Sequence, residues 1–414
     1  MEICVFTGLP LQIKFMKPYV LIIPALLLSG SVLQANDWTK FRGAAHNGIT
    51  TEIGLNPKFS ASGPRKLWSK NVGLGYSSMS VKGNRLYTMG SKGGEDSLTC
   101  LNTDTGEVVW RAHYKHGRRD YGADPNPTAT GSTPTIDGTN VYVLSRDGIV
   151  FCFDAAKGNM IWAKNVRQES GAETPSWGFT GSPLVDGNLV IVNVGASGCA
   201  LNKTTSRIVW KSRGMAGYST PLPFSAGGQR VLVLFTGKSV VGVSPASGRI
   251  GWTFPWSTSY EVNAADPVVI GDSLFISSGY SKGGSLLRFT NGRPQPVYET
   301  RQMRTQFNSC VLINGFIYGN DDGRLKCLDA KTGAVKWQAR GMGNGGLIAA
   351  GKTLLVTTQE GELLTVSANP NAYTEISRAK VLGGTCWIQP VFANGKIFVK
   401  NNEGDVVALD ARGK

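Results

Sequence analysis

One cassette recurs along this chain and leaves few folds open to it: an apolar residue, two or more positions rich in Asp, Asn or Ala, often a Gly, then a Trp nine residues after the apolar one. Copies run Leu101–Trp110, Phe153–Trp162, Leu201–Trp210, Val243–Trp252 and Leu328–Trp337; Phe289–Tyr298 is a degraded sixth copy and Val366–Glu375 a seventh that has lost its Trp. Before each lies a second piece, in which a Pro or apolar residue precedes a Gly-containing turn and an apolar pair. Its anchors are Met79, Pro134, Pro183, Pro221, Pro267, Cys310, Leu347 and Pro390, eight in all and 37 to 55 residues apart. Asp147-Gly148, Asp322-Gly323, Glu360-Gly361 and Glu403-Gly404, each flanked by short apolar runs, read as hairpin turns between the pieces. A unit of this length with four short strands has the size of a propeller blade. The fold class is therefore all-β, an eight-bladed β-propeller of four-stranded blades.

The order of the pieces predicts how the ring closes. The last unit supplies Val406 to Ala411 and the chain stops before any Trp strand, whereas Lys66-Leu67-Trp68-Ser69-Lys70 has the pattern of that strand with no cassette before it. The N- and C-terminal strands are expected to pair within one blade, which removes the open edges of an unclosed array. Trp68, Trp110, Trp162, Trp210, Trp252 and Trp337 are expected to be structural, since a large flat ring at a fixed register of each blade suits packing between neighbouring sheets.

The Ala/Asn-Asp-x-x-x-Gly-x-x-x-Trp cassette resembles the tryptophan-docking motif of the pyrroloquinoline-quinone-like propeller superfamily, over essentially the whole chain after residue 35. That superfamily includes quinoprotein alcohol dehydrogenases, which hold the quinone and a calcium ion over the ring axis, and the non-enzymatic propeller lipoprotein of the outer-membrane β-barrel assembly machinery. Trp38-Thr39-Lys40-Phe41-Arg42-Gly43, with His46-Asn47-Gly48 after it, is similar to the N-terminal signature of exported propellers of this kind. The resemblance speaks to fold more than to activity, because one fold hosts many functions. The dehydrogenases characteristically carry a disulfide between adjacent cysteines against the cofactor; this sequence has no Cys-Cys pair.

The run Val20–Leu28 is apolar, follows Lys14 and Lys17, and precedes Leu33-Gln34-Ala35, which offers a small residue for cleavage. Residues 1–35 therefore read as a signal peptide, with Met16 a more ordinary start, followed by a segment 36–63 leading into the ring and a single propeller over 64–414. The expected location is periplasmic or extracellular, with no membrane helix in the mature chain. Loss of residues 1–35 removes Lys14, Lys17 and Glu2, so the formal net charge of +15 falls by one. An excess of this kind suits acidic partners, but no Lys/Arg-rich run points to specific nucleic-acid binding. Of the six remaining cysteines, Cys100, Cys152 and Cys327 share a register in different repeats, so free buried thiols are expected, in a chain expected to be a monomer.

Signals for chemistry are sparse. His113-x-x-His116 is a poor metal pair, because residues three apart in a strand face opposite sides. Gly341-x-Gly343-x-x-Gly346 spells a dinucleotide fingerprint but leads into a strand rather than a helix. More informative is the residue three before each anchor, where the inner strand should emerge at the central channel: Tyr76, Gly131, Thr180, Tyr218, Ala264, Phe307, Asn344 and Trp387. Long loops at Tyr114–Thr130, with Arg118, and Asn165–Phe179, with Trp177, feed two of these strands. Tyr76, Arg118, Trp177, Tyr218, Phe307, Asn344 and Trp387 are accordingly the candidate ligand contacts at the channel mouth. The reading that follows is an exported propeller binding a small-molecule, carbohydrate or protein partner, with no metal, no cofactor and no redox chemistry. Its alternatives are a quinoprotein dehydrogenase with PQQ and calcium, oxidising an alcohol or sugar, and an envelope assembly scaffold.

Overall fold

The structure, a computed structural model, describes residues 1–2, 37–115 and 130–412; the signal-peptide expectation and Arg118 fall outside them. Eight blades each hold four antiparallel strands from the channel outward, consecutive in sequence in all but the last. Blade 1 runs Ser80–Lys82, Arg85–Lys92, Glu95–Asn102 and Val108–Lys115. The innermost strands of blades 2 to 7 are Thr135–Asp137, Leu184–Asp186, Leu222–Ala226, Val268–Ile270, Val311–Ile313 and Gly346–Ala350. Blade 8 takes Val391–Ala393, Lys396–Lys400 and Asp405–Asp410 from the end of the chain and its outer strand, Lys66–Asn71, from the beginning. Trp68 lies opposite Ala408 and Asn71 opposite Asp405, and Arg65 and Asn71 tie the seam through Asp410 at 2.9 Å and Asp405 at 2.8 Å.

The cassette explains how neighbouring blades lock. The outer-strand Trp rings lie against the cassette turn of the next blade, and five of them donate the indole N–H to a carbonyl there: Trp68 to Thr103 at 2.9 Å, Trp110 to Ala155 at 3.1 Å, Trp162 to Lys203 at 3.1 Å, Trp210 to Pro245 at 2.8 Å and Trp337 to Asn369 at 2.7 Å. In blade 5 the Tyr298 hydroxyl makes the equivalent bond to Ala330 at 3.0 Å, while Trp252 packs edge-on against Phe289, with centroids 5.0 Å apart. The cassette Gly sits flat beneath that ring: a Cβ on Gly158, at φ +75°, would lie 2.5 Å from Trp110. Cys100, Cys152, Cys199, Cys310, Cys327 and Cys386 are buried free thiols, and burial pushes the pKa of Cys152 and Cys310 up to about 12.

Residues 38–50 do more than lead into the ring. They form a strap across the far end of the channel. Trp38 pairs with Val81 in blade 1, and the Ile136 N–H of blade 2 donates to Thr39 at 2.8 Å. Arg42, 1% exposed, donates to the carbonyls of Cys310 (2.5 Å), Asn47 (3.1 Å) and Pro267 (3.4 Å). Ile49–Thr50 adds a parallel strand to Gly346–Ala350 of blade 7, and Thr50 reaches the Phe392 carbonyl of blade 8 at 3.2 Å. A once-occurring motif thus spans the ring from blade 1 to blade 8.

Candidate functional site

The near end of the channel opens into a cavity of about 350 Å³. Its walls come from the residues just before the inner strands. Tyr76, Gly131, Thr180, Tyr218, Ala264, Phe307 and Trp387 all line it, seven of the eight positions read from the sequence. Trp387 stacks on Tyr76, with centroids 5.7 Å apart and 17° between planes, and leans on Phe307 at 5.1 Å. Across the cavity Trp177 meets Tyr218 edge-on at 6.0 Å. Burial pushes the Tyr218 phenol up to about 12, so it stays protonated.

Asn344 is the exception and does not line the cavity. Its carbonyl accepts from Asn308 at 3.1 Å and its N–H donates to Gln359 at 3.0 Å; Gln359 also accepts from the Trp387 indole at 3.2 Å, which places Asn344 among the supports of that ring. The acidic residues of the 165–179 loop lie elsewhere: Glu169 pairs with Lys164 at 2.7 Å, and Glu173 belongs to a short strand beside Gly214–Met215. His113 lies 3.7 Å from Glu95, with no further metal-ligating group gathered there among the described residues.

A second layer was not anticipated. The residues one before the anchors form a belt beneath the aromatic walls: Ser78, Thr133, Ser182, Thr220, Asp266, Ser309, Gly346 and Gln389. From blade to blade a backbone N–H donates to the next side chain: Ser78 to Thr133 Oγ1 (3.0 Å), Thr133 to Ser182 Oγ (2.9 Å), Ser182 to Thr220 Oγ1 (3.1 Å), Thr220 to Asp266 Oδ1 (2.8 Å) and Asp266 to Ser309 Oγ (2.8 Å). Gly346 has no side chain to continue the chain of bonds. Asn308 bridges that gap, donating to Asn344 and Trp387. The run of small polar residues before the anchors was the readable signal for this layer.

The strap fixes the floor electrostatically. Burial lowers the His46 pKa despite its 2.8 Å bond to Asp266 Oδ2, so near neutral pH a neutral imidazole donates from Nε2 to the carboxylate. The Arg42 guanidinium nearby balances that carboxylate. Phe41 lines the cavity, and so do Arg146, which donates to the Trp177 carbonyl at 2.9 Å, and Tyr280. Tyr280 belongs to Gly279-Tyr280-Ser281-Lys282-Gly283, which spells a nucleophile elbow but forms the turn between strands Ser273–Ser278 and Gly283–Thr290. Gly346 to Thr353 likewise spells a phosphate-binding loop. It lies in a strand, a turn and the start of the next strand, with no helix end to cradle an anion.

Eight four-stranded blades carrying the docking cassette define a propeller of the pyrroloquinoline-quinone-like class. The family model described as outer membrane protein assembly factor BamB matches residues 95–339 and 322–414, and the chain belongs to that family. It is 22% identical over 352 residues to the outer membrane protein assembly factor BamB of Yersinia pestis, covering 82% of this chain and 77% of that one. With the BamB of Burkholderia pseudomallei (strain K96243) the identity is 24% over 373 residues, covering 84% and 88%. Among solved structures, BamB from Moraxella catarrhalis superposes with a TM-score of 0.62 at 16% identity, over 84% of this chain and 99% of that one. A europium-containing methanol dehydrogenase superposes with a TM-score of 0.64 at 13% identity, over 90% and 89%. At such identities the structural likeness speaks to fold alone.

The dehydrogenase neighbour raises the question of whether the cavity suits a quinone with calcium. Calcium takes about 6–8 oxygen ligands. Among the described lining residues Asp266 is the one carboxylate, and its two oxygens serve Thr220 and His46. No group of three or more His, Cys, Asp or Glu suited to a metal occurs among the described residues. The described lining therefore offers calcium a single carboxylate, already bonded on both oxygens.

Proposed function

We propose that this chain is a non-catalytic binding propeller of the cell envelope, exported by residues 1–35, which takes its partner through the aromatic mouth. The observation that carries this reading is the cavity itself: six aromatic side chains from separate blades and loops, Tyr76, Trp177, Tyr218, Tyr280, Phe307 and Trp387, converge above a polar belt, with the far end of the channel occupied by the strap. Aromatic faces bury large areas at low entropy cost, and a concave site of this size is at the lower end of those that take a small ligand or one residue of a larger one. No described helix is long and apolar enough to cross a membrane.

A second reading, an assembly scaffold that docks by its rim, is favoured by the exposed apolar residues Val108 and Val109 on the outer strand of blade 1 and Met160 and Ile161 on that of blade 2. A photocrosslinking residue placed at Tyr280 or at Met160 in the producing cell separates the two. Adducts should arise from position 280 and vanish in Trp387→Ala; adducts from position 160 alone would establish the rim. Dye-linked alcohol or sugar oxidation by the protein supplied with the quinone and calcium should be undetectable.

A further inference from the structure

We infer that the occupant of the cavity is a neutral sugar ring, bound with its oxygens toward the belt; this rests on the cavity being the binding site. Two buried groups at the floor have no partner. The Gln389 Nε2 amide and the Ser78 hydroxyl, each on a residue 2% exposed, belong to neighbouring blades 8 and 1 and line the cavity below the stacked Trp387 and Tyr76. A buried donor left unmatched is costly, so each of these groups gains when a small turn of its side chain brings it onto an acceptor in the adjoining cavity. The next three belt members continue the pattern. Thr133, Ser182 and Thr220 accept backbone N–H groups, which leaves each hydroxyl proton available. Donors therefore run along an unbroken arc of five blades, from Gln389 through Ser78, Thr133 and Ser182 to Thr220.

A ligand that satisfies such an arc carries oxygen acceptors spread around a ring rather than at one end, and offers the aromatic walls an apolar face. A pyranose does both. Charge narrows the choice further. Among the described lining residues the one carboxylate is held between neutral His46 and Thr220, with Arg42 beneath, and the cation Arg146 is turned onto the Trp177 carbonyl. Among the described residues the floor thus offers neither a surplus cation for a uronic acid or polycarboxylate nor an open carboxylate for an amino sugar.

The test titrates the full mature chain with methyl glucoside, methyl galactoside, methyl mannoside and N-acetylglucosamine. Glucuronate, glucosamine and pyrroloquinoline quinone serve as charged controls. Tryptophan fluorescence, to which Trp177 and Trp387 contribute, and calorimetry are the readouts. At least one neutral sugar should saturate the signal, with its charged counterparts at least tenfold weaker. Gln389→Ala and Ser78→Ala should each weaken that sugar by about five- to tenfold, while melting as the parent does. Absence of binding by every neutral sugar, equal binding by Trp387→Ala, or tighter binding of the quinone than of any sugar would overturn the inference. Silence from the sugars alongside crosslinking from position 280 would remove this inference and leave the cavity as the binding site.

Discussion

Lys400 is the least expected residue in the ring. It ends the strand Lys396–Lys400, where alternation places two lysines on one face and suggests solvent, yet its ammonium is wholly buried between blades 8 and 1. It donates to Ser77 O at 2.9 Å, Met89 O at 2.8 Å and Thr88 Oγ1 at 3.2 Å. None of these acceptors is charged, and burial lowers its pKa to about 7. The folded chain therefore releases the proton near pH 7, while the unfolded chain holds it until about pH 10.4. Between those values the unfolded state binds more protons, so this group's contribution to stability rises with pH and is lost as the pH falls toward 7. Urea denaturation of the parent and of Lys400→Met at several pH values isolates the effect. Their stability difference should shift in the parent's favour by up to about 1.4 kcal/mol per pH unit between pH 7 and 10. A parallel pair of profiles would mean that the lysine is solvated.

At the scale of the element, the docking of each Trp on the next cassette depends on the bare face of one Gly. Gly158→Ala must hold a left-handed backbone and place its methyl 2.5 Å from the Trp110 ring, whereas Gly187, with a similar φ of +57°, has nothing within 4 Å of such a methyl. The first substitution should cost about 3 kcal/mol and the second about 1 kcal/mol, read as shifts in the denaturation midpoint. This contrast also marks what was legible beforehand. Blades, cassettes and the closing strand could be read because each spacing repeats, and seven of the eight mouth positions followed from that register. Asn344 failed because its blade carries Gly346 where the others carry a belt side chain, and Asn308 reaches across to use the Asn344 carbonyl. The strap had no period to betray it. Its key residue, Arg42, is satisfied by carbonyls at Pro267 and Cys310, more than two hundred positions away in sequence. Tyr280 reaches the cavity from a hairpin turn, which the register of inner strands does not cover.

At the scale of the molecule, closure rests on a single seam. Removing Val406–Lys414 would strip the partner of Lys66–Asn71 and expose an edge on each side of the gap, so the truncated protein should aggregate or melt far below the parent in a thermal scan. A truncation that melts with the parent would mean that the ring holds without the seam. The same seam governs how the protein comes into being. Arg65 and Asp410 are bonded across 345 residues of sequence, and the belt acquires its last member only when Gln389 arrives beside Ser78. Contacts of such span are slow to form, because the chain must lose its freedom over almost its full length before they are made. Blades can stack one upon another while the chain is still incomplete, but the donor arc between blades 8 and 1 exists only in the finished circle. A stalled or clipped chain can thus be extensively folded and still lack the finished cavity, so that possession of the cavity certifies the closed ring.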